Sequence, residues 1–220
     1  YLDIKPGAMY NELNISRIST RITELPFVKQ KQPYEVLFTN DFNKLTLFLE
    51  NKKASRFDGV LGILPDNNTN KVIFTGDMKL LLLNSLGRGE SIKLNWRKLQ
   101  NQTTDLKVTA AYPFVLNTPF GIESKFMLYK RDTTFQDVQG MLGVQYILPR
   151  GNYFKVFADQ KQSRLLSTKG MENISSLPSQ IDVNNTTYGL GLRSENLDYK
   201  FNPTRGYQFF IEGGAGTRQI

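Results

Sequence analysis

Charged side chains at regular spacing are the part of this sequence best suited to chemistry. Seven of them alternate with apolar neighbours along successive segments: Asp77, Lys79, Lys93, Arg97, Lys107, Glu123 and Lys125. Carboxylates and lysines held close together can act as general acid and base. Ion pairing between neighbouring strands needs the same residue types at the same spacing. We predict that the seven form a hydrated ladder of structural ion pairs facing the lumen of a sheet closed on itself.

Composition excludes several classes of active site. The 220 residues include no cysteine and no histidine, so a Ser-His-Asp triad, a Cys-His dyad and the ordinary zinc sites are unavailable. The net charge of +8 is spread over strands and loops without a dense basic cluster, and we expect no nucleic-acid partner. We also expect no enzymatic activity, no cofactor and no bound metal.

A period of two dominates the chain from Phe57 onward. Segments of about ten residues alternate apolar with polar side chains, and successive side chains of a strand point to opposite faces. About eleven residues tilted near 45° climb about 25 Å, the height of the apolar band of an outer-membrane barrel. We therefore predict a mainly β protein with a transmembrane antiparallel β-barrel. The residues predicted to face lipid include Phe74, Leu80, Leu94, Trp96, Phe126, Leu142, Leu190 and Phe209.

The connections between segments favour the barrel over a soluble β-sandwich, which also alternates. Sandwich strands usually have five or six residues, and these segments are longer. Short connections are predicted at Asn84 to Arg88, Pro113 to Pro119, Pro149 to Asn152 and Asp198 to Arg205. They alternate with polar loops at Pro65 to Asn70, Asn101 to Thr103, Arg131 to Gln136 and Ser163 to Asn185, as periplasmic turns alternate with extracellular loops in bacterial barrels.

The first fifty residues follow a different pattern. Apolar residues from Asn11 to Leu25 recur at helical spacing, and Pro26 ends the run. Tyr34 to Phe38 and Lys44 to Glu50 then predict a two-stranded hairpin. We place the boundary between a small α+β domain, 1–53, and the barrel domain, 54–220.

Five stretches carry a resemblance to a known family: Ile4 to Asn11, Phe57 to Gly62, Phe74 to Asp77, Leu83 to Glu90 and Asn202 to Gly206. The first, with the hairpin after it, resembles the second half of a polypeptide-transport-associated (POTRA) module. The next three resemble the opening strands of BamA/TamA-type outer-membrane assembly factors, the bacterial surface antigen superfamily. The last is similar to the periplasmic turn near the middle of their barrels.

The resemblance implies a fold and a function. Such barrels are expected to have sixteen strands, so the chain is expected to be a fragment that holds the N-terminal half, about eight or nine strands, preceded by a partial POTRA module. The implied protein inserts other β-barrel proteins into the outer membrane of a Gram-negative bacterium without covalent catalysis, with the POTRA module in the periplasm. Its implied partners are outer-membrane lipids, unfolded β-barrel clients and periplasmic or lipoprotein accessory subunits.

Other functions remain open at this point. The same superfamily includes dedicated translocation pores of two-partner secretion and barrels fused to patatin-like lipases. The Gly-x-Ser-x-Gly elbow of such a lipase does not occur in this sequence. Outside the superfamily, a passive porin and a soluble binding domain are the alternatives; the POTRA-like segment argues against the first, and the strand lengths argue against the second.

Two candidate sites follow from the resemblance. The first strand would close the barrel against the last strand through a weak lateral seam, at Phe57, Gly59, Val60, Leu61, Gly62 and Ile63. Glycine inside a strand weakens it, and an opened strand edge can template an incoming strand. The POTRA hairpin would receive clients or accessory subunits by edge pairing at Glu35, Val36, Leu37, Leu45, Leu47 and Leu49.

Overall fold

Strands make up most of the structure. The computed structural model describes residues 1–2, 4–66, 71–100, 103–131, 135–166 and 182–219. Two short helices come first, α1 (Glu12–Ser16) and α2 (Ile18–Thr23). Eleven strands follow: β1 (Val28–Phe38), β2 (Asn43–Asn51), β3 (Arg56–Asp66), β4 (Lys71–Leu83), β5 (Ser91–Lys98), β6 (Thr104–Tyr112), β7 (Phe120–Arg131), β8 (Phe135–Ile147), β9 (Tyr153–Leu165), β10 (Val183–Leu197) and β11 (Gly206–Gln219).

The strands form two antiparallel sheets. β1 and β2 pair as a hairpin, and β3 to β11 form a nine-stranded sheet in which each strand pairs with its neighbours in the chain. The prediction of a mainly β chain with a large antiparallel sheet is confirmed. Within the described residues the sheet is open, because β3 and β11 each have one partner strand. Closure into a barrel therefore stays a prediction.

The sheet is sheared, as the strands of a tilted sheet must be. One row of paired residues runs from Leu82, one residue before the end of β4, to Ala215, nine residues after the start of β11. This shift is about eight residues over seven strand steps, or about 1.1 residues per step; with about 3.3 Å per residue and about 4.8 Å between strands it corresponds to a tilt of about 38°. Strands of outer-membrane barrels tilt by a similar angle.

The four short connections fall where the sequence predicts them. Residues 84–90, 113–119, 148–152 and 198–205 join successive strands at one end of the sheet, called here the turn end. The strands at the opposite end are longer than predicted, because Pro65, Arg131 and Ser163 belong to strands β3, β7 and β9. Backbone pairing continues there through residues that were predicted to lie in loops. The remaining parts of those loops, 67–70, 101–102, 132–134 and 167–181, lie outside the described residues.

The single helix predicted from Asn11 to Leu25 is two short helices separated at Arg17. The Asn11 side chain caps α1 by accepting a hydrogen bond from the amide of Asn14 (3.2 Å). The Ser16 hydroxyl then donates to the carbonyl of Leu13 (3.2 Å). Serine and β-branched residues are weak helix formers that compete locally for backbone groups, and this segment is rich in them. Hydrophobic spacing predicted the buried side of the segment but not this interruption.

The N-terminal module, defined as residues 1–2 and 4–51, has its own small core. Ile15, Ile18 and Ile22 are buried where the two helices lie on the hairpin. Partly buried side chains pack around them: Leu2, Ile4, Val28, Tyr34, Val36, Leu45 and Leu47. Ile18 is completely buried. None of the described helices is long and apolar enough to cross a membrane.

Replacing Ile18 by alanine tests whether this core holds the helices on the hairpin. Large-to-small changes at buried positions cost about 2–5 kcal/mol, so we expect Ile18→Ala to speed hydrogen exchange of the β1 and β2 amides by more than tenfold. Leu13→Ala is the control, because the Leu13 side chain is largely exposed. Equal exchange rates in the two variants would contradict the role of Ile18 in the core.

Candidate functional site

The seven predicted ladder residues lie on one face of the nine-stranded sheet. Paired residues of antiparallel strands point to the same face, and the register places Asp77 opposite Arg97, Lys79 opposite Asn95, and Thr109 between Lys93 and Lys125. The charged face is the face of the nine-stranded sheet that carries these seven residues: Asp77, Lys79, Lys93, Arg97, Lys107, Glu123 and Lys125. Whether it lines a lumen stays a prediction.

The eight residues predicted to face lipid lie on the opposite face. Leu80, Leu94 and Phe126 belong to one row of paired residues through β4, β5, β6 and β7. The remaining five have the same parity in their strands: Phe74, Trp96, Leu142, Leu190 and Phe209. The apolar face is the face of the sheet that carries these eight residues. Contact of this face with lipid stays a prediction.

Ion pairs hold the acidic members of the ladder. Both Nε and Nη2 of Arg97 donate to Oδ2 of Asp77, at 2.9 and 2.7 Å. Nζ of Lys125 lies 3.2 Å from Oε1 of Glu123, and Nζ of Lys107 lies 3.3 Å from Asp105 on the same strand. No ion pair involves Lys79 or Lys93 among the described residues. Cations neutralise these carboxylates rather than leaving a carboxyl poised to transfer a proton. The pair of Asp77 with Arg97 joins β4 to β5, whereas the other two pairs each lie within one strand.

The most buried charge of the sheet was missed by the sequence analysis. Lys155 in β9 is almost completely buried, and its Nζ contacts Glu212 (2.7 Å) and Glu123 (3.4 Å). The alternation of β9 carries the signal that would have placed it, because Lys155, like Asp159, lies on the charged face while Val156 between them lies on the apolar face. The contacts of Lys155 with Glu123 in β7 and Glu212 in β11 could not be predicted from that pattern. Among the described residues no group of three or more acidic side chains could hold a metal ion.

All six predicted seam residues lie in β3, which has a free edge. β3 pairs with β4 along its length and with no other described strand. Its side chains are exposed on both faces: Phe57, Leu61 and Ile63 on the apolar face and Val60 on the charged face are each about two-thirds exposed or more. Gly59 and Gly62 add no packing. β3 is therefore a weakly supported strand with an unpaired row of backbone groups.

The predicted client edge of the hairpin divides into two groups. Val36, Leu45 and Leu47 pack against the helical core, so their side chains belong to the inside of the module. Glu35, Leu37 and Leu49 are exposed. The predicted residues therefore share a hairpin but not a surface, and a partner strand could reach the first group only through the backbone. Binding of clients there stays a prediction.

The N-terminal module rests against the turn end of the sheet. Oε1 of Glu24 accepts a hydrogen bond from the amide of Lys200 (2.8 Å) in the β10–β11 turn, and its other oxygen accepts one from the hydroxyl of Tyr1. Burial raises the pKa of Tyr1 above its ordinary value, and the bond to Glu24 raises it further. Arg21 donates to the carbonyls of Tyr1 and Leu2 at 3.3 and 3.4 Å. These contacts hold the end of α2 against the β10–β11 turn, at the turn end of the sheet.

A second set of contacts lies at the β4–β5 turn. Ser55, in the connection between the module and β3, accepts a hydrogen bond through its hydroxyl from the amide of Leu83 (3.1 Å) at the end of β4. A methyl group placed on Gly89 would lie 3.9 Å from the Phe27 ring and 3.5 Å from Pro113. The module therefore spans the turn end from the β4–β5 turn to the β10–β11 turn. The sequence pattern predicted the module but not these contacts, which join segments distant in the chain.

Glu90 organises the β4–β5 turn. Its carboxylate accepts hydrogen bonds from the amides of Leu86 and Arg88, the latter at 3.0 Å, while the Asn84 side chain accepts from the amide of Gly89 (2.7 Å). Burial alone would raise the pKa of the Glu90 carboxyl. The backbone amide donors outweigh burial and lower that pKa below its ordinary value. The ionised carboxylate is therefore the form that stabilises the turn.

Comparison with solved structures supports the fold. The crystal structure of BamA from Haemophilus ducreyi lacking POTRA domains 1–3 matches 98% of this chain with a TM-score of 0.53 and 12% sequence identity. The chain covers 44% of the length of that structure. A scan against protein-family models found no match, and a search of curated proteins also found none. The fold is therefore similar to that of BamA, while the low identity carries no assignment of function.

Glu24→Ala tests the contact between the module and the β10–β11 turn. Alanine has no side-chain acceptor, so the hydrogen bonds from the amide of Lys200 and from the hydroxyl of Tyr1 are both lost. We expect faster hydrogen exchange at the backbone of residues 198–205, with no change in β7 or β8. Glu12→Ala on the exposed side of α1 is the matched control. Unchanged exchange at 198–205 in Glu24→Ala would contradict this contact.

Glu90→Gln tests the role of charge in the β4–β5 turn. Because the folded-state pKa of Glu90 is lowered, its stabilisation is present above the unfolded value of about 4.3 and is lost as pH falls through the folded value. We expect the variant to unfold at lower urea concentration than the parent at pH 7, and the two midpoints to converge once the pH falls below the lowered folded-state pKa of Glu90. The fluorescence of Trp96, the single tryptophan, reports unfolding of the adjoining β5.

Glu35→Gln on the exposed surface of the hairpin should leave the urea midpoint unchanged at both pH values. A constant difference between Glu90→Gln and the parent across the whole pH range would show that the shape of the side chain, and not its charge, stabilises the turn.

Proposed function

We propose that this chain is part of an outer-membrane assembly factor that folds and inserts β-barrel proteins through a lateral seam at β3. In this proposal the nine-stranded sheet crosses the outer membrane of a Gram-negative bacterium. The apolar face meets lipid, the charged face lines a hydrated lumen, and the N-terminal module is the second half of a POTRA module in the periplasm. The similarity of fold to BamA supports the proposal at the level of architecture.

The observation that carries the proposal is the position of β3. It follows the N-terminal module directly, contains Gly59 and Gly62, and has one partner strand within the described part of the chain. The other edge strand, β11, is exposed in the same way, so the place of β3 after the module is what distinguishes it. An unpaired strand edge in lipid leaves backbone groups without hydrogen bonds and is costly. We infer that the edge of β3 closes against the last strand of a complete barrel, and that this closure is weak enough to open.

Opening of this seam would supply the mechanism. The freed N–H and C=O groups of β3 form a template on which an incoming client strand adds by antiparallel pairing. The step exchanges one set of backbone hydrogen bonds for another, so no covalent step is needed. The ion pairs of the charged face fit this account, because they neutralise carboxylates instead of activating them.

The arrangement of the module supports a route for clients from the periplasm. Glu24 binds the β10–β11 turn, and Phe27 lies beside Gly89 of the β4–β5 turn, at the end of the sheet that is periplasmic in this proposal. A client or an accessory subunit that pairs with the hairpin at Glu35, Val36, Leu37, Leu45, Leu47 or Leu49 would therefore be held beside the turn end and near the start of β3.

The shear of the sheet supports the membrane assignment. A tilt of about 38° lies within the range of outer-membrane barrels, and strands β3 to β11 have 8 to 15 residues. The apolar face contains Trp96, Phe126 and Leu142 at positions where a water-facing surface would carry polar side chains. Outer-membrane lipid is the partner that this face fits.

Gly59→Ala tests whether weakness of β3 is needed for insertion. Alanine in a strand is about 0.5–1 kcal/mol more favourable than glycine, so closure of the seam should strengthen and the insertion rate should fall about two- to fivefold. The added methyl would contact Cγ of Met78 at 3.2 Å, a flexible side chain that can shift. The assay is insertion of an unrelated unfolded barrel protein into lipid vesicles that contain the full-length parent protein.

Gly140→Ala is the matched control. Gly140 lies on the same apolar face, in the interior strand β8, and a methyl group there would contact nothing within 4 Å. We expect it to leave the insertion rate unchanged. Equal rates for the parent and both variants would refute the proposal that the seam opens at β3.

A further inference from the structure

The turn before β11 holds its first residues, because the amide of Asp198 donates to the carbonyl of Arg205 (3.1 Å) and Nε2 of Gln208 donates to Glu195 (3.1 Å). From Glu212 onward the pairing of β11 with β10 lacks the side-chain packing that normally sets strand register. β11 contains Gly213, Gly214 and Gly216, and β10 contributes Gly189 opposite Gly214 and Gly191 opposite Glu212. Glycine-rich strands specify register weakly, and a slip of two residues keeps every side chain on its original face. The apolar and charged alternation therefore does not distinguish the observed register from one shifted by two residues.

Lys155 supplies a contact that does depend on register. Its side chain is 2% exposed, and its Nζ lies 2.7 Å from Oε2 of Glu212, across the whole width of β10. On the other side Nζ lies 3.4 Å from Oε2 of Glu123 in β7 and 5.1 Å from the centre of the Phe157 ring. One lysine in β9 therefore connects the charged face from β7 to β11.

Two glycines make room for this buried lysine. A methyl group on Gly191 would lie 3.2 Å from Cε of Lys155 and 3.5 Å from Oε2 of Glu212. A methyl group on Gly143 would lie 3.3 Å from Cδ of Lys155. The lysine can therefore lie flat over the neighbouring strands because the positions beneath it have no side chain. Gly191 therefore belongs both to the glycine-rich pairing of β10 with β11 and to the space that Lys155 occupies.

Lys155 is also held from the β7 side, so it cannot follow a shifted Glu212. Glu123 accepts hydrogen bonds from Nε2 of Gln145 (2.9 Å) and pairs with Lys125 (3.2 Å), which fixes the acceptor for Lys155. A two-residue slip of β11 would move Glu212 by about 6.8 Å and bring Phe210 or Gly214 to its place. The buried ammonium would then keep one carboxylate, and a buried charge that loses a partner is strongly unfavourable.

We propose that the ion pair of Lys155 with Glu212 sets the register of β11 on β10. Lys155 acts as a positioning residue for the glycine-rich segment from Glu212 to Gln219: it selects one pairing among several that this backbone would accept, while the turn at 198–205 holds the start of β11. This role is independent of the proposed insertion activity, since it depends on contacts within the charged face.

Disulfide trapping in the full-length protein in lipid vesicles tests the register. The described chain has no cysteine, and Tyr188 on the apolar face is paired with Ala215. Tyr188→Cys with Ala215→Cys reports the observed register, because paired residues of antiparallel strands lie within disulfide range. Tyr188→Cys with Gly213→Cys or with Thr217→Cys reports a slip of two residues in either direction.

Glu212→Gln is the deciding variant, since it preserves the size of the side chain and leaves the pair of Lys155 with Glu123 in place. We expect severalfold more cross-linking in a slipped cysteine pair than in the parent, and a matching loss at the observed pair. Lys155→Met should have the same effect. Lys161→Met is the control, because Lys161 is half exposed and 3.8 Å from Asp137, and it should keep the parent pattern.

Two results would overturn the assignment. One is an unchanged cross-linking pattern in both Glu212→Gln and Lys155→Met. The other is loss of the observed cross-link without gain of a slipped one, which would mean that the ion pair holds β11 in the sheet without choosing its register.

Discussion

Backbone hydrogen bonding between antiparallel neighbours is the constraint on which the rest of this structure depends. Each strand from β4 to β10 is paired on both sides, and β3 and β11 are paired on one. Pairing in this order forces alternate side chains onto two faces, and the shear of the rows gives the strands their tilt. The apolar face, the charged face and the free edge of β3 all follow from one pattern of pairing. The proposed function uses the same interaction, since insertion would exchange one set of strand pairs for another.

The two edge strands of the sheet are both exposed but differ in their ion pairs. Lys155 binds Glu123 of β7 and Glu212 of β11, with a side chain that lies over glycines. Among the described residues no ion pair reaches β3. In some proteins buried ion pairs select one arrangement more than they add net stability, which fits the role proposed for Lys155. A first strand without such a pair fits an edge that is proposed to open.

Sequence periodicity was sufficient for the strands, the faces and the short connections. The alternation of Leu80, Leu94 and Phe126 with the charged ladder places them on opposite faces without knowledge of the register. Contacts between distant segments were not predictable in this way. Lys155 of β9 reaches past its neighbours β8 and β10 to carboxylates in β7 and β11, and Glu24 binds the amide of Lys200, which is 176 residues away in the chain. The break at Arg17 depends on local hydrogen bonds that compete with a helix, and hydrophobic spacing carries no information about such bonds.

Quantitative outer-membrane proteomics after depletion of the full-length parent protein in its native cell tests the central claim most directly. An assembly factor handles many clients, so we expect the abundance of unrelated barrel proteins to fall generally while periplasmic proteins stay constant. An unchanged barrel population with loss of one secreted or surface product would contradict it and would identify a dedicated translocation pore instead.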